Sequence, residues 1–343
     1  MKVWVLHNRV SPQAGPDEED VLVQAAAVAA ALQARGHQVA QVAADLDLAD
    51  LGQRLAADRP DAVFNLVESL AGHGRLIHLV PSLLDAFGVP LAGCPTEAIF
   101  LTSHKLLAKG LLRRAGLPTP DWLAAPGETS GLARGGGRCT AEQWIVKSVW
   151  EDASLGLDDS AVVDGLVAAR ALLATRAAQP GAPWFAEAFI DGREFNLALL
   201  EGPAGIEVLP AAEMLFEDFP PDKPRIVGYD AKWRSDSFEY THTVRRFDLP
   251  ASDGPLLAHL GRLAEACWHL CGLRGWARVD LRVDTHGRPW ILEINANPCL
   301  APDAGFAAAL ARAAIPFETA IARILEAATT GAPAAPRTAG AGR

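Results

Sequence analysis

The chain has 343 residues, half of them apolar, which is enough for two or three compact units with buried cores. Its 31 basic and 41 acidic residues give a net charge of −10, which argues against nucleic acid or an anionic membrane as a partner. No stretch reaches the length of a membrane span, and the apolar run at residues 1–6 is too short for a signal peptide, so we expect a cytoplasmic protein.

Short apolar runs alternate with alanine-rich segments in the N-terminal part of the chain. A helix is predicted at residues 20–35, and the runs that read as buried strands are residues 3–6, 38–42 and 62–67. This order predicts a parallel sheet packed against helices, in which ligands collect beyond the carboxyl ends of the strands. The residues placed there are His7, Asn8, Glu68 and Ser69.

Two further regions follow this sheet. The second has a predicted helix at residues 103–115 and strands at residues 144–149 and 184–190, and the third has the longest strand signals and a helix at residues 256–270. We therefore expect an α/β fold that becomes α+β toward the C-terminus. The expected units are residues 1–95, 96–190 and 191–330, and the aperiodic residues 331–343 are expected to form a disordered tail.

A strict polar and apolar alternation marks residues 278–284. Because side chains point to opposite faces of a strand in turn, Arg278, Asp280 and Arg282 share one face. In residues 290–295 the members of one face are Ile291, Glu293 and Asn295. The two segments are close enough in sequence to form a hairpin.

A tight turn centred on His286 and Gly287 would set the register of this hairpin. Asp280 would then lie opposite Glu293, and Arg278 opposite Asn295. Three oxygen ligands and one guanidinium would converge on one patch. A slip of one residue would turn the apolar side chains of one strand to the wrong face, so the pattern favours this register.

An ordinary half-buried hairpin with charges paired across solvent would show the same alternation. However, Glu293 stands between Leu292 and Ile294 in an otherwise apolar strand, and Asn295 is a poor strand former. Such a carboxylate needs a partner, and Mg²⁺ takes one or two carboxylates and an amide oxygen and completes its shell with water and phosphate oxygens. The spacing leaves both interpretations open and favours the metal site.

Six segments in order carry a resemblance to a known family. They are residues 103–105 (SHK) with 115–120 (AGLPTP), 145–147 (IVK), 187–194 (EAFIDGRE), 229–232 (YDAK), 277–280 (ARVD) and 292–295 (LEIN). With these segments the chain resembles the ATP-grasp enzymes, specifically their D-alanine–D-alanine ligase-like branch, over residues 63–317. The resemblance implies an ATP-grasp fold of three subdomains, with ATP and one or two Mg²⁺ ions, or Mn²⁺, as cofactors.

The resemblance also implies roles for individual residues. These are phosphate contacts for Lys105, Lys147, Lys232 and Arg278, with Lys232 and Arg278 as catalytic residues; Ser154 in a loop at 149–157 that closes over the phosphates; Glu187, Ala188 and Ile190 at the adenine; Glu194 at the ribose; and Asp280, Glu293 and Asn295 at the metal. Lys147 ends an apolar strand, where its ammonium group needs an anion. Taken singly, Lys105 could be a solvated helix charge, Glu187 and Glu194 an edge-strand pair, and Lys232 a surface partner of Asp230. The order of the motifs favours the functional roles.

Three departures from the family pattern fall on the substrate side. The stretch at residues 68–75 replaces a His-Gly segment, Trp233 replaces a tyrosine, and Asp303 stands where the family holds the carboxylate of its acceptor. An aspartate there implies an acceptor other than D-alanine, such as one with an extra amine. The candidate substrate residues are Glu68, Arg75, Trp233 and Asp303, although Arg75 could equally be a surface residue and Trp233 a core residue.

The leading hypothesis is a ligase that joins the carboxylate of one small amino-acid-like substrate to the amine of another through an acyl phosphate. An ester-forming ligase with a hydroxyl acceptor is the first alternative. A nucleotide-binding regulatory module without turnover is the second, and the complete set of magnesium ligands argues against it. A homodimer is compatible with the sequence.

Overall fold

The computed structural model describes residues 1–11, 14–125, 130–132, 141–151, 154, 156–178, 181 and 183–330 of the chain. The predicted disordered tail at residues 331–343 lies outside the described residues. The described strands form three sheets of four, four and six strands, which follow one another along the chain. The predicted division at residues 95 and 190 stays a prediction.

The N-terminal sheet is parallel, as its alternating pattern predicts. Its elements are β1 (Lys2–Asn8), α1 (Pro16–Ala34), β2 (Gln38–Ala44), α2 (Leu48–Ala57), β3 (Ala62–Asn65), α3 (Leu79–Ala86) and β4 (Leu91–Ala92). The strand order is β2-β1-β3-β4. Val3 and Val5 pack with the side chains of α1, whereas Trp4 and Leu6 pack with those of α2 and α3. Both faces are thus covered, which is why the strand is continuously apolar.

The second sheet is antiparallel, with strand order β5-β8-β6-β7. Its region contains α4 (Thr96–Ser103), α5 (Lys105–Arg114), β5 (Trp122–Ala124), β6 (Gln143–Ser148), β7 (Val162–Asp164), α6 (Gly165–Ala177) and β8 (Trp184–Ala188). The single helix predicted at residues 103–115 is wrong at its start. His104 has an extended backbone that separates α4 from α5, and its ring accepts a hydrogen bond from the backbone N–H of Leu107. Lys105 therefore stands in the first turn of α5.

The third sheet is also antiparallel, with order β12-β11-β9-β13-β14 and β10 paired to β9. Its strands are β9 (Gly192–Gly202), β10 (Gly205–Val208), β11 (Ala212–Phe216), β12 (Thr243–Arg246), β13 (Trp276–Asp284) and β14 (Pro289–Asn295). The helices of this region are α7 (Tyr229–Trp233), α8 (Phe238–His242), α9 (Gly254–Cys271), α10 (Gly305–Arg312) and α11 (Phe317–Thr330).

On one face of this sheet the apolar side chains of β9, β13 and β14 pack against α9 and α4. The same face ends in an ion-pair cluster, in which Glu213, opposite Phe195, pairs with Arg193 and Arg246. The opposite face changes along the strands. At one end it carries Glu194 and Arg282, and at the other it carries Trp276, whose ring stacks on Phe64 of the N-terminal sheet with centroids 5.2 Å apart. The indole N–H of Trp276 donates to the carbonyl of Pro298 at 2.9 Å. The apolar end thereby holds the third sheet against the first, and the polar end is left to form a site.

No helix in the described part of the chain is long and apolar enough to span a membrane alone. α10 and α11 reach the length and composition of a span only when they are taken together, and the pair is bent by 106°. Both helices bury side chains in the core, among them Phe306, Leu310 and Ile321.

Gly192 lets β9 approach the end of β13. Its φ is +150°, and a Cβ atom on this residue would overlap the carbonyl oxygen of Val283. We expect Gly192→Ala to lower the free energy of unfolding by about 2 kcal/mol or more, because it adds backbone overlap to conformational strain. Chemical denaturation measures this loss.

Gly205→Ala is the matched control. Gly205 also has a positive φ, +113°, but no described atom lies within 4 Å of the position of its Cβ. This variant carries the strain without the overlap, so its loss of stability should be clearly smaller. Equal losses in the two variants would contradict the proposed role of the approach to Val283.

Candidate active site

The hairpin of β13 and β14 has the predicted register at its site end. Arg278 lies opposite Asn295, and Asp280 lies opposite Glu293. These four side chains therefore belong to one patch on the polar face of the third sheet. β9 adds Asn196, which lies directly opposite Asp280 on the other side of β13.

The turn that joins the two strands differs from the predicted one. It runs over residues 284–288, and the carboxylate of Asp284 accepts the backbone N–H groups of His286 and Arg288. A β-bulge then shifts the register by one residue, so that Leu281 lies opposite Ile291. The prediction that Ile291 shares the face of Glu293 is wrong, because the extra residue turns Ile291 into the core, where it is fully buried.

Asp280 is buried and held from two sides. The guanidinium of Arg278 donates to its two carboxylate oxygens at 2.8 and 2.9 Å, and the side-chain amide of Asn196 donates to Oδ1 at 2.8 Å. Burial raises the pKa of the Asp280 carboxyl against the opposing charge of Arg278, and the negative charge of Glu293 adds to the rise. A further cation beside this carboxylate would offset both the cost of burying its charge and its repulsion by Glu293.

Glu293 lies within reach of several cations. The ammonium of Lys105 is 3.9 Å from Oε2 of Glu293 and also donates to the carbonyl of Glu151 at 2.9 Å. Burial would raise the pKa of Glu293, but the positive charges of Lys105, Lys232, Arg278 and Lys147, in that order, outweigh it and hold the pKa at about 2. The charges of all four cations predicted to contact phosphate thus act on this one carboxylate.

The donor set fits a hard divalent cation. Asp280 and Glu293 supply carboxylate oxygens, and Asn295 supplies an amide oxygen that accepts the backbone N–H of Asn297 at 3.0 Å. Oδ1 of Asp280 already accepts from both Arg278 and Asn196, whereas its Oδ2 accepts from Arg278 and the amide oxygen of Asn295 accepts from Asn297. The last two oxygens each have a second lone pair for a metal. Within the described residues no group of three or more His, Cys, Asp or Glu side chains could hold a metal, so a site here depends on the amide and on phosphate oxygens.

Lys147 has its anion within the protein. Its ammonium lies 2.7 Å from Oε1 of Glu187, and the ammonium of Lys109 lies 2.5 Å from Oε2 of the same carboxylate. Burial lowers the pKa of Lys109 to about 8 against the opposing charge of Glu187. The carboxylate predicted to hold adenine is therefore bonded to two lysines, and the triphosphate is not needed as the partner of Lys147.

Glu194 is likewise paired. Nε and Nη2 of Arg282 donate to its Oε2 at 3.0 and 2.8 Å, and Nη1 of Arg282 donates to the carbonyl of Ile190 at 2.8 Å. The guanidinium also lies over the ring of Phe189, 5.0 Å from its centroid. The residues predicted for the ribose and the base are thus brought together by Arg282. The backbone N–H of Ala188 is bonded to the carbonyl of Asp121 at 2.8 Å.

The predicted phosphate loop is only partly described, since residues 152, 153 and 155 lie outside the described residues. Ser154 has a φ of +62°, and its hydroxyl donates to the carbonyl of Val227 at 2.7 Å. This bond joins the loop to the segment before α7, which carries Lys232 and Trp233. The charge of Lys232 acts on both Asp280 and Glu293.

The candidate substrate residues lie in different places. Glu68 follows β3 and accepts a hydrogen bond from the side chain of Gln24 at 2.7 Å. Asp303 is exposed, and its charge adds to the effect of burial in raising the pKa of Asp20 on α1. Arg75 is exposed in a short 3₁₀ helix, and no hydrogen bond or ion pair joins it to Glu68 or Asp303 among the described residues.

Sequence reasoning missed several residues of this site. Lys109 follows Lys105 by one helical turn, and this spacing was a usable signal that both face the same way. Arg282 shares the predicted face with Arg278 and Asp280, but neither the alternation nor the family resemblance assigns it a role. Gln24 carried no signal, since it joins the site only through the packing of α1 beside β3.

Comparisons with known proteins identify the family of the chain. The model of the family described as D-ala D-ala ligase C-terminus matches residues 111–326. An uncharacterised protein of Sinorhizobium fredii, y4sG, is 33% identical over 87% of this chain and 85% of that protein. The D-alanine–D-alanine ligase of Actinobacillus pleuropneumoniae serotype 5b is 28% identical over 95% of this chain and 97% of the ligase.

The fold has close counterparts among solved structures. The crystal structure of the D-alanine–D-alanine ligase from Bacillus anthracis complexed with ATP superposes with a TM-score of 0.70 at 19% identity, covering 96% of this chain and 98% of the other. This likeness shows the fold. Since the family model covers more than half of the sequence, the chain belongs to the D-alanine–D-alanine ligase family of ATP-grasp proteins.

Proposed function

We propose that this protein is an ATP-dependent ligase that joins a carboxylate to an amine and releases ADP and phosphate. The observation that carries the proposal is the hairpin patch in which Asp280 lies opposite Glu293, Arg278 bonds both oxygens of Asp280, and Lys105 lies 3.9 Å from Glu293. The charges of Lys232 and Lys147 also act on Glu293. Such a concentration of positive charge beside two carboxylates suits a polyphosphate bound together with a divalent metal. The ligases among its relatives support the same reaction class.

The proposed reaction has two steps. An oxygen of the substrate carboxylate attacks the terminal phosphorus of ATP, and the bond from that phosphorus to ADP breaks to leave an acyl phosphate. The amine of the second substrate then attacks the acyl carbon, phosphate leaves, and the nitrogen loses a proton. Both steps move negative charge among phosphate oxygens, so the work of the protein is positioning and neutralisation.

Particular residues would serve these steps. Lys105, Lys232 and Arg278 would bind and neutralise phosphate oxygens, and Arg278 also orients Asp280 through its two hydrogen bonds. Asp280, Glu293 and Asn295 would hold Mg²⁺, which when bound neutralises further charge on the transferred phosphoryl group. Ser154 ties the adjacent loop to the carbonyl of Val227, which would help to exclude water from the acyl phosphate.

Removal of one charge from the metal patch should stop the reaction. We expect Glu293→Gln and Asp280→Asn each to reduce phosphate release from ATP by roughly a hundredfold or more, because several kcal/mol of charge stabilisation are lost. Phosphate release is measured with substrates in excess, and thermal denaturation checks the fold. The control is Glu207→Gln, which should keep its activity. Glu207 is a partly exposed carboxylate on β10 that pairs with Arg323. Near-normal release by either patch variant would contradict the metal assignment.

The nature of the substrates is tested by a screen of amino-acid pairs, with phosphate release and product mass as readouts. We expect release that needs both a carboxylate and an amine, and a product heavier than either substrate. Asp303 stands in the segment where the family holds the carboxylate of its acceptor substrate. We therefore expect an acceptor other than D-alanine. Release that needs a carboxylate but no amine would favour a hydroxyl acceptor, and no release with any carboxylate despite tight ATP binding would overturn the ligase proposal.

A further inference from the structure

Arg282 is a deeply buried charged group of the candidate nucleotide site. It lies on β13 directly opposite Glu194 of β9, and only 3% of its surface is exposed. A guanidinium has five N–H donors in a rigid plane, and burial requires most of them to be satisfied. The partners of Arg282 therefore report which parts of the structure it holds together.

Three separate segments supply those partners. Two of its nitrogens donate to Oε2 of Glu194, Nη1 donates to the carbonyl of Ile190 at 2.8 Å, and Nη2 also donates to the carbonyl of Arg225. Ile190 belongs to the connection between β8 and β9, and Arg225 precedes the segment that accepts the Ser154 hydroxyl. One side chain thus links the second sheet, the third sheet and the loop beside them.

The pattern of bonds leaves specific groups available to a ligand. Both bonds from Arg282 fall on Oε2 of Glu194, and no described residue bonds to Oε1. At Ile190 the carbonyl is bonded to Arg282, while its backbone N–H has no partner among the residues described. One hydrogen-bond acceptor and one donor therefore remain, on two residues that the same guanidinium holds.

We propose that Arg282 is a positioning residue that fixes Glu194 and Ile190 relative to each other, so that the ribose and the base of a purine nucleotide are recognised together. The inference rests on the proposed function for the presence of ATP. In the roles that the family resemblance implies, Oε1 of Glu194 would accept the ribose hydroxyls and the N–H of Ile190 would donate to the base. Arg282 itself touches neither; it acts through the two residues that it bridges.

The shape of the side chain explains why arginine is needed. The fork reaches a carboxylate and a carbonyl at the same time, and the rings of Phe189 and Phe216 lie 5.0 and 5.8 Å from it. Lysine keeps the charge but concentrates its donors on one nitrogen, so it cannot span Glu194 and Ile190. Methionine keeps much of the length and loses both the charge and the donors.

A merely structural ion pair would give a different result from a positioning one. Loss of a structural pair would weaken all nucleotides in the same proportion. Loss of positioning would selectively remove the energy contributed by the ribose hydroxyls. The diagnostic quantity is therefore the ratio of the Kd for 2′,3′-dideoxy-ATP to the Kd for ATP, measured by calorimetry with Mg²⁺ and without any second substrate. This ratio needs no ligase activity.

We expect the wild-type protein to prefer ATP over the dideoxy nucleotide by roughly tenfold or more, since hydrogen bonds to a charged acceptor are lost. The preference should fall to within about threefold in Arg282→Met and in Arg282→Lys. Arg288→Met is the matched control, because Arg288 is an exposed guanidinium on the same hairpin that pairs with Asp284. It should keep the wild-type ratio.

The outcomes separate this inference from the proposed function. If Arg282→Lys keeps the wild-type preference for ATP over the dideoxy nucleotide, Arg282 acts only through its charge and the positioning role is wrong. If Arg282→Met keeps that preference, Arg282 has no role in recognition of the ribose. If Arg282→Met fails to fold in thermal denaturation, Arg282→Lys decides the question alone. Glu194→Gln should also lose the preference, and its retention there would show that Glu194 does not hold the ribose. Absence of ATP binding in the wild type would instead contradict the proposed function.

Discussion

The structure depends on the placement of two carboxylates, Asp280 and Glu293, opposite each other on one hairpin of the third sheet. The two carboxylates carry like charges and repel each other, and burial adds to the free-energy cost of keeping both ionised. Arg278 offsets the charge of Asp280 by a bidentate bond, and Lys105 approaches Glu293 from the first turn of α5. The patch is stable because cations from several elements converge on it, and these elements must pack together to supply them.

Polar contacts near these charged groups also join the three sheets. The side-chain amide of Asn297, just beyond β14, donates to the carbonyl of Val67 beyond β3. At the other end of the site, Arg282 bonds to Glu194 within the third sheet and to Ile190 at the end of the second. The site therefore lies where the sheets meet, and polar contacts across that junction fix its geometry. Changes in how the sheets pack would alter nucleotide and metal ligands together.

Local sequence signals were sufficient for the hairpin patch. The period of a strand is two, so the shared face of Arg278 and Asp280 follows from the sequence, and the apolar residues limit the register. The turn was less predictable, because Asp284 binds its own backbone to make a longer turn, and a bulge before Glu293 compensates for it. The break between α4 and α5 was also missed, since the extended backbone of His104 depends on packing as well as on local propensity.

Long-range partners could not be read from the sequence. Lys147 was expected to need an external anion, yet Glu187, forty residues further along the chain, provides one and is shared with Lys109. The pairing of Arg282 with Glu194 likewise joins residues that are 88 positions apart. The family resemblance pointed to the residues of the nucleotide site, whereas the contacts among those residues required the fold.

We infer that the cations around Glu293 and Asp280 form a site for a metal-bound polyphosphate. The change in thermal denaturation temperature on addition of ATP, ADP or AMP, each with and without Mg²⁺, tests this site. We expect stabilisation to increase from AMP to ADP to ATP and the effect of ATP to depend on Mg²⁺, because a ligand that binds only the folded state raises its stability. Equal stabilisation by AMP and ATP, or an effect of ATP that is the same without Mg²⁺, would contradict it.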